Sequence, residues 1–229
     1  MGSVARDRFY DPDLALIHDE GFWHLAQAAT AVLLDRIAPP GLVVDLGCGS
    51  GILAAALADA GFAVHGVEVS AAMLALARRR APNAALTHAS IYEAELPGGA
   101  VAVAAIGEVL NYEPAGPLEP LLRRVHDALA PSGLLLTDVA GPGRTAPSTH
   151  HAGEGWAMEV SGRADARTLT RHIVTTSASR RSEETHVLRL LGPGTVTSAL
   201  HAAGFTAVET MAAYADLALP PGLTAYAAT

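Results

Sequence analysis

The sequence predicts an α/β protein: a parallel sheet with helices on both faces, preceded by a helical segment and interrupted by an antiparallel meander. Three observations predict it. Between residues 43 and 139 short apolar runs alternate with helical patterns across short connections, and that order builds parallel sheets. A glycine-rich turn, "VVDLGCGSGILAAAL", stands where the first strand of this series passes into a helix. Between residues 156 and 191 the pattern changes to three strand-like stretches separated by turn or charged residues, as in a meander.

Each element has a local reason. From Phe9 to Ile37 the residues Leu14, Ile17, Phe22, Leu25, Ala29, Val32, Leu33 and Ile37 recur at helical spacings, and Pro39-Pro40-Gly41 ends the segment. Val43–Leu46 reads as a strand and Ile52–Ala60 as a helix closed by Gly61. Ala63–Val69 is a strand, and Ser70 caps a helix that runs to Arg80 and stops near Pro82. Ala85–His88 is a short strand, and Ala100–Ile106 is a continuous apolar run of the kind buried on both faces. Leu118–Ala130 is amphipathic and ends at Pro131, and Leu134–Val139 is another apolar strand. "GPGRTAPSTHHAGEG" reads as a loop; Trp156–Ser161, Thr168–Ser177 and Thr185–Leu191 form the meander. Thr195–Ala203 is a helix ended by Gly204, followed by strands at Phe205–Met211 and Leu223–Ala228.

Composition excludes several classes. With 229 residues, the chain suits one large domain or a domain with a lid. Half of the residues are hydrophobic and 17% charged, the balance of a folded protein rather than a disordered one. A formal charge of −8 disfavours nucleic acid as a partner. All 15 basic residues are arginine, so a lysine base or Schiff base is excluded. The single cysteine, Cys48, excludes an internal disulfide and fits a reducing compartment. Without a signal-type apolar segment, or any stretch near the ~20 residues of a membrane helix, the chain reads as soluble and cytoplasmic, with no membrane partner. A homodimer is left open.

Gly47, Gly49 and Gly51 stand where the strand becomes a helix. In such sheets ligands bind beyond the carboxyl ends of the strands, at the point where the strand order reverses. Glycine lets the backbone turn sharply and a ligand approach it, and N–H groups at a helix start suit an anionic group. A tight turn alone needs fewer than three alternating glycines. The spacing also departs from the G-x-G-x-x-G of nicotinamide and flavin proteins: Ile52 stands where the third glycine would be, and an acid, Asp45, precedes the first. Glu68 lies at the end of the second strand, where a carboxylate can accept both hydroxyls of a ribose.

Together, "VVDLGCGSG" and "HGVEVS" resemble the class I, Rossmann-like S-adenosylmethionine-dependent methyltransferases, over most of residues 40–140. The resemblance implies a doubly wound, mostly parallel sheet with an antiparallel last strand, and S-adenosylmethionine as cofactor. It places the methionine portion on Asp45, Gly47, Cys48, Gly49 and Gly51, with no redox role for Cys48, and the ribose on Glu68. Val69 and Met73 would flank the adenine, with Ser90 and Ile91 at its edge, where "HASIYEAELP" replaces the acid often found after the third strand. The backbone at Ile106 and Gly107 would meet the amino end. A binding protein of this fold without turnover, and a nicotinamide oxidoreductase, are the competing readings.

Absent motifs narrow the acceptor. The fourth strand ends in "GEVLNY", not the Asn/Asp-Pro-Pro-aromatic signature of enzymes that methylate base or amide nitrogens, and the acidic pair of magnesium-dependent relatives is not evident. The adjacent His150-His151 pair reads as a solvated loop, so no metal is expected. This leaves a small-molecule acceptor, with O- or N-methylation expected and carbon left open. The layout is similar to natural-product and sugar-amine methyltransferases, which implies a helical lid at residues 1–40, a core at 41–141 and 192–229, and a meander insertion at 142–191 that walls the acceptor site. The lid would bring Tyr10 to the cofactor and His18 to the acceptor. Glu108, just past the fourth strand, and His18 are the candidate catalytic bases; Trp156, Arg171 and His186 are candidate substrate contacts. Plainer readings stand beside each: a solvated acid, a surface histidine, core packing or a cross-strand partner. Arg78 to Arg80 read as a basic helix end that needs no partner.

Overall fold

The computed structural model describes residues 9–112, 116–178 and 180–229. After two N-terminal helices, α1 (Pro12–Gly21) and α2 (His24–Arg36), the chain runs β1 (Leu42–Leu46), α3 (Ile52–Asp59), β2 (Ala63–Glu68), α4 (Ala71–Arg80), β3 (Ala85–His88) and β4 (Ala100–Ala105). A 3-10 turn at Val109–Asn111 leads towards α5 (Leu118–Ala128) and β5 (Leu129–Ala140). Four strands follow: β6 (Thr149–Gly153), β7 (Trp156–Ala164), β8 (Thr168–Ser177) and β9 (Arg181–Arg189). The remainder is α6 (Pro193–Ala203), β10 (Val208–Met211), the two-residue strands β11 (Ala213–Tyr214) and β12 (Leu217–Ala218), and β13 (Leu223–Ala228).

The central sheet has the order β10-β13-β5-β4-β1-β2-β3. The strands β1 to β5 are parallel, and β13 runs antiparallel between β5 and β10. One core layer joins Val44, Leu46 and Val103 to Leu122 and Val125 of α5 and Leu200 of α6. The other joins Val43 and Val64 to Leu33 of α2 and Leu57 of α3. Burial on both faces explains why these strands read as unbroken apolar runs. The strand order reverses between β1 and β4, so their carboxyl ends open a crevice.

The second sheet, β6-β7-β8-β9, is wholly antiparallel. Helix α1 lies between it and the core. Leu14 and Ile17 pack on Met158 and Ile173 of the meander, and Ala15 packs on Met73 and Leu76 of α4.

Several boundaries differ from expectation. The single helical segment from Phe9 to Ile37 is two helices, parted at Phe22–Trp23, where the Phe22 N–H closes on the His18 carbonyl at 2.9 Å. The periodicity runs through the break, yet the two halves pack on different partners. The meander has a fourth strand, β6, inside the stretch read as a loop. It is an edge strand paired only with β7, and its mostly exposed polar residues carry no apolar alternation. Helix α5 ends at Ala128, and β5 starts at Leu129, ahead of Pro131.

Candidate active site

Strand β1 ends in a loop whose three glycines have positive φ, at 71°, 53° and 80° for Gly47, Gly49 and Gly51. Their work differs. A side chain at Gly51 would stand 3.0 Å from the Ala77 Cα, so this glycine lets the loop approach α4. At Gly49 a side chain would meet no protein atom nearer than 4.0 Å, because that position faces a cavity.

Four of the loop amides are already engaged within the protein. The N–H groups of Gly47 and Cys48 donate to the Val67 carbonyl at 2.7 and 3.0 Å, and that of Gly51 to the Cys48 carbonyl at 2.9 Å. The Gly49 N–H donates to Glu68 Oε2 at 3.0 Å. Glu68 Oε1 also accepts from the N–H groups of Val69 and Ser70, each at 2.8 Å. These three bonds set the carboxylate at the end of β2, and burial still pushes it above its ordinary pKa.

The cavity encloses about 320 Å³ above β1, β2 and β4. It brings together eleven of the expected residues: Tyr10, His18, Gly47, Gly49, Glu68, Val69, Met73, Ser90, Ile91, Ile106 and Gly107. Phe9, Tyr92, Glu93, Val109 and Tyr112 complete the wall. Tyr112 is the main residue that sequence reasoning passed over; it stands in the quoted "GEVLNY", but no spacing rule marks a loop aromatic as a wall. Its hydroxyl lies 3.1 Å from that of Tyr10.

Asp45 lies beneath this floor, 2% exposed, with its Oδ2 buried and without a hydrogen-bond partner among the described residues. Burial, and then the charge of Glu68, push its carboxyl up to about 7. Cys48 does not reach the cavity. Its sulfur packs at Gly66, and burial raises the thiol far above its ordinary value, which leaves it unreactive.

The proposed bases stand differently from expectation. His18 is on the cavity wall, with its ring edge-on to Tyr10 at 5.1 Å. Burial lowers its pKa to about 4, so it is neutral at pH 7 and a weak proton acceptor. Glu108 is outside the cavity lining. Its carboxylate is held by Arg144 at 2.5 Å and Arg171 at 2.7 Å. Burial would raise the Glu108 carboxyl, but Arg171 and then Arg144 overcome it and hold the group below its ordinary value. A carboxylate so engaged is a poor base, and its role as one is withdrawn. Its clamp also takes up Arg171, expected at the substrate.

Asp138, at the end of β5, shapes the turn that carries Glu108. Its carboxylate accepts the N–H of Gly107 at 2.9 Å and of Glu108 at 2.6 Å, and the Tyr214 hydroxyl at 3.2 Å. Both turn residues are left-handed, with φ of 94° and 62°. No motif marked Asp138, because its partners come from distant parts of the chain.

The other two expected substrate contacts lie behind the wall. Trp156 packs in the α1–meander interface and donates from Nε1 to Glu20 at 2.9 Å. His186, 1% exposed, backs Phe9, Tyr10 and Tyr112 and pairs with Glu184 at 2.8 Å. Arg80 does have partners: it binds Asp19 of α1 and the Ser50 carbonyl, at 2.8 Å, of the glycine loop. His150 and His151 lie on β6, with His151 near Thr149 Oγ1 at 3.2 Å.

The residues fit the expected cofactor by two observations: the buried, unpartnered Asp45 oxygen, and the open space at Gly49 that a side chain would occupy. A parallel sheet with an antiparallel last strand, an acid-tipped β2 and a glycine loop at the reversal point define a class I, nucleotide-cofactor methyltransferase architecture.

Comparison with known proteins gives the domain and the fold. Residues 43–133 match a methyltransferase domain model. A dTDP-3-amino-3,6-dideoxy-α-D-glucopyranose N,N-dimethyltransferase of Streptomyces fradiae is 29% identical over 198 residues, 80% of this chain and 78% of the relative. A trans-aconitate 2-methyltransferase of Delftia acidovorans is 36% identical over 110 residues, 47% of this chain and 40% of that protein. The structure of a sugar N-methyltransferase from a Streptoalloteichus species superposes with a TM-score of 0.77 at 22% identity, covering 99% of this chain and 96% of that one. The chain carries a methyltransferase domain over residues 43–133 and has the fold of class I S-adenosylmethionine-dependent methyltransferases. Among the described residues no helix is long and apolar enough to cross a membrane.

Proposed function

We propose that the enzyme methylates the nitrogen of a small amine, in the class of the amino sugars that the Streptomyces fradiae relative methylates. One observation carries this reading. Among the described residues the charged side chains of the cavity are Glu68 and Glu93, its walls are rich in aromatic rings, and no arginine lines it. A carboxylate acceptor, like the trans-aconitate of the other relative, would meet two acids and no cation. An amine meets aromatic faces and hydroxyls, which favour the positive charge that nitrogen gains on methylation.

S-adenosylmethionine supplies an electrophilic methyl on a sulfonium that departs as a neutral thioether. Glu68 would hold the ribose hydroxyls, with Val69, Met73, Ser90 and Ile91 around the adenine. Asp45 and the loop from Gly47 to Gly51 would take the methionine portion. Tyr10 and Tyr112 share one hydrogen bond between their hydroxyls, which leaves further capacity to orient an amine. His18, neutral at pH 7, can accept a hydrogen bond from that amine but is too weak a base to deprotonate an ammonium efficiently. Positioning therefore supplies the acceleration, of order 7–11 kcal/mol in favourable cases, and the amine loses its proton to solvent. An acidic chain with a single buried cysteine fits a cytoplasmic setting.

The test offers the enzyme labelled S-adenosylmethionine with nucleotide-linked amino sugars in one arm and tricarboxylic acids in the other. Mass spectrometry then locates the label. Methylamine products are expected; methyl esters from the acids, with no labelled amine, would overturn the reading.

A further inference from the structure

Tyr10 has a left-handed backbone, φ 54°, in a side-chain-bearing residue. Such a conformation persists only where the surroundings over-determine it. Here they do so from several sides. The Tyr10 N–H donates to Glu184 Oε2 at 2.8 Å, and the next N–H, of Asp11, donates to Glu184 Oε1 at 2.7 Å. The Tyr10 carbonyl accepts the Ser70 hydroxyl at 2.9 Å, and its own hydroxyl meets that of Tyr112 at 3.1 Å.

These contacts form a continuous line between two sheets. Glu184 belongs to β9 of the meander, is 11% exposed, and completes its hydrogen bonding with the buried His186. Ser70 belongs to the core, and its N–H donates to the same Glu68 carboxylate that holds Gly49. From Glu184 the line thus reaches Glu68, at the floor of the cavity, through three hydrogen bonds by way of Tyr10 and Ser70.

We propose that Glu184 is a positioning residue that couples the acceptor wall to the cofactor site by holding Tyr10 over the cavity. Glu184 does not line the cavity; it acts through the backbone of Tyr10 and Asp11. Because coupling between two sites is reciprocal, a lid ordered by one ligand binds the other more tightly. The proposal rests on the cofactor site described above.

The test uses the full chain and S-adenosylhomocysteine as probe, with calorimetry for affinity and amide exchange for the lid. Glu184→Ala is expected to weaken binding at least five-fold and to deprotect the amides from Asp11 to Ile17, while protection across β1, β4 and β5 is kept. Glu184→Gln retains one acceptor oxygen and is expected between the two. This partial rescue is a result that loss of general packing would not give, and the Gln variant serves as the test should the Ala variant fail to fold. A change of less than five-fold in Glu184→Ala, or a loss of protection spread evenly over the core, overturns the coupling. A wild-type chain that does not bind the probe overturns the cofactor site itself, and the coupling with it.

Discussion

Asp45 shows how much chemistry one side chain can carry. Burial without a complete set of partners pushes its carboxyl from 3.8 to about 7. A folded-state value above the unfolded one means that the folded chain holds the proton more tightly. Without ligand, this residue's contribution to stability is therefore fully present below about pH 4 and is lost as pH rises towards 7. Asp45→Asn removes that titration. We expect the ligand-free variant to melt higher than the wild type at pH 8, with the difference fading at pH 4, as read by thermal unfolding across that range. An equal gap at both pH values would contradict the assignment. The position was visible in the sequence because an acid two residues before a glycine loop is a local pattern. The roles of Cys48 and Gly51 were not, because whether a loop residue faces a cavity or a helix depends on what packs behind it.

At the scale of elements, the turn after β4 joins the two sheets. Glu108 leaves β4 in a left-handed conformation and meets Arg144 from the loop after β5 and Arg171 from β8. All three side chains are less than one-fifth exposed. Breaking a buried ion pair by neutralising one partner leaves an uncompensated charge, at about 3–5 kcal/mol for a fully buried pair. Glu108→Gln should therefore lower the unfolding free energy by about 2–4 kcal/mol, measured in urea. Its pH–rate profile should keep the wild-type shape, since no base is lost; a missing acidic limb would restore Glu108 as the base. The strand itself was legible from its apolar run. The clamp was not, because the spacing between residues 108, 144 and 171 follows no helix or strand period. The break at Phe22–Trp23 escaped for a related reason: hydrophobic periodicity records that a face is buried, not against which partner.

At the scale of the molecule, the two ends of the meander segment meet. The Leu191 N–H donates to the Ala140 carbonyl at 2.9 Å, so residues 142 to 190 leave and return at one place. Replacing them with a short Gly-Ser linker should leave a core that unfolds in a single transition with parallel-sheet circular dichroism. It should melt lower than the full chain, because Leu188 and the packing under α1 are removed. It should also lose methyl transfer, as Glu184, which holds Tyr10 over the cavity, goes with the segment. A core that cannot fold alone would show that the sheets are one cooperative unit rather than core and insertion.

By itself the sequence determined the parallel core, its reversal point, the glycine loop and the acid at the end of β2. These rest on interactions between near neighbours: a buried strand needs an apolar run, a sharp turn needs glycine, and Glu68 meets Gly49 because β1 and β2 are adjacent. Only the tertiary structure decided which side chains share the cavity. Tyr112 and Tyr10 meet there from positions a hundred residues apart, Asp138 and Glu184 organise backbone they are far from in sequence, and Glu108 turns away to two arginines. The physical reason is the same in each case. A side chain's electrostatic environment and its access to a ligand are set by whatever the fold packs around it, and those neighbours come from segments whose spacing along the chain carries no periodic signal.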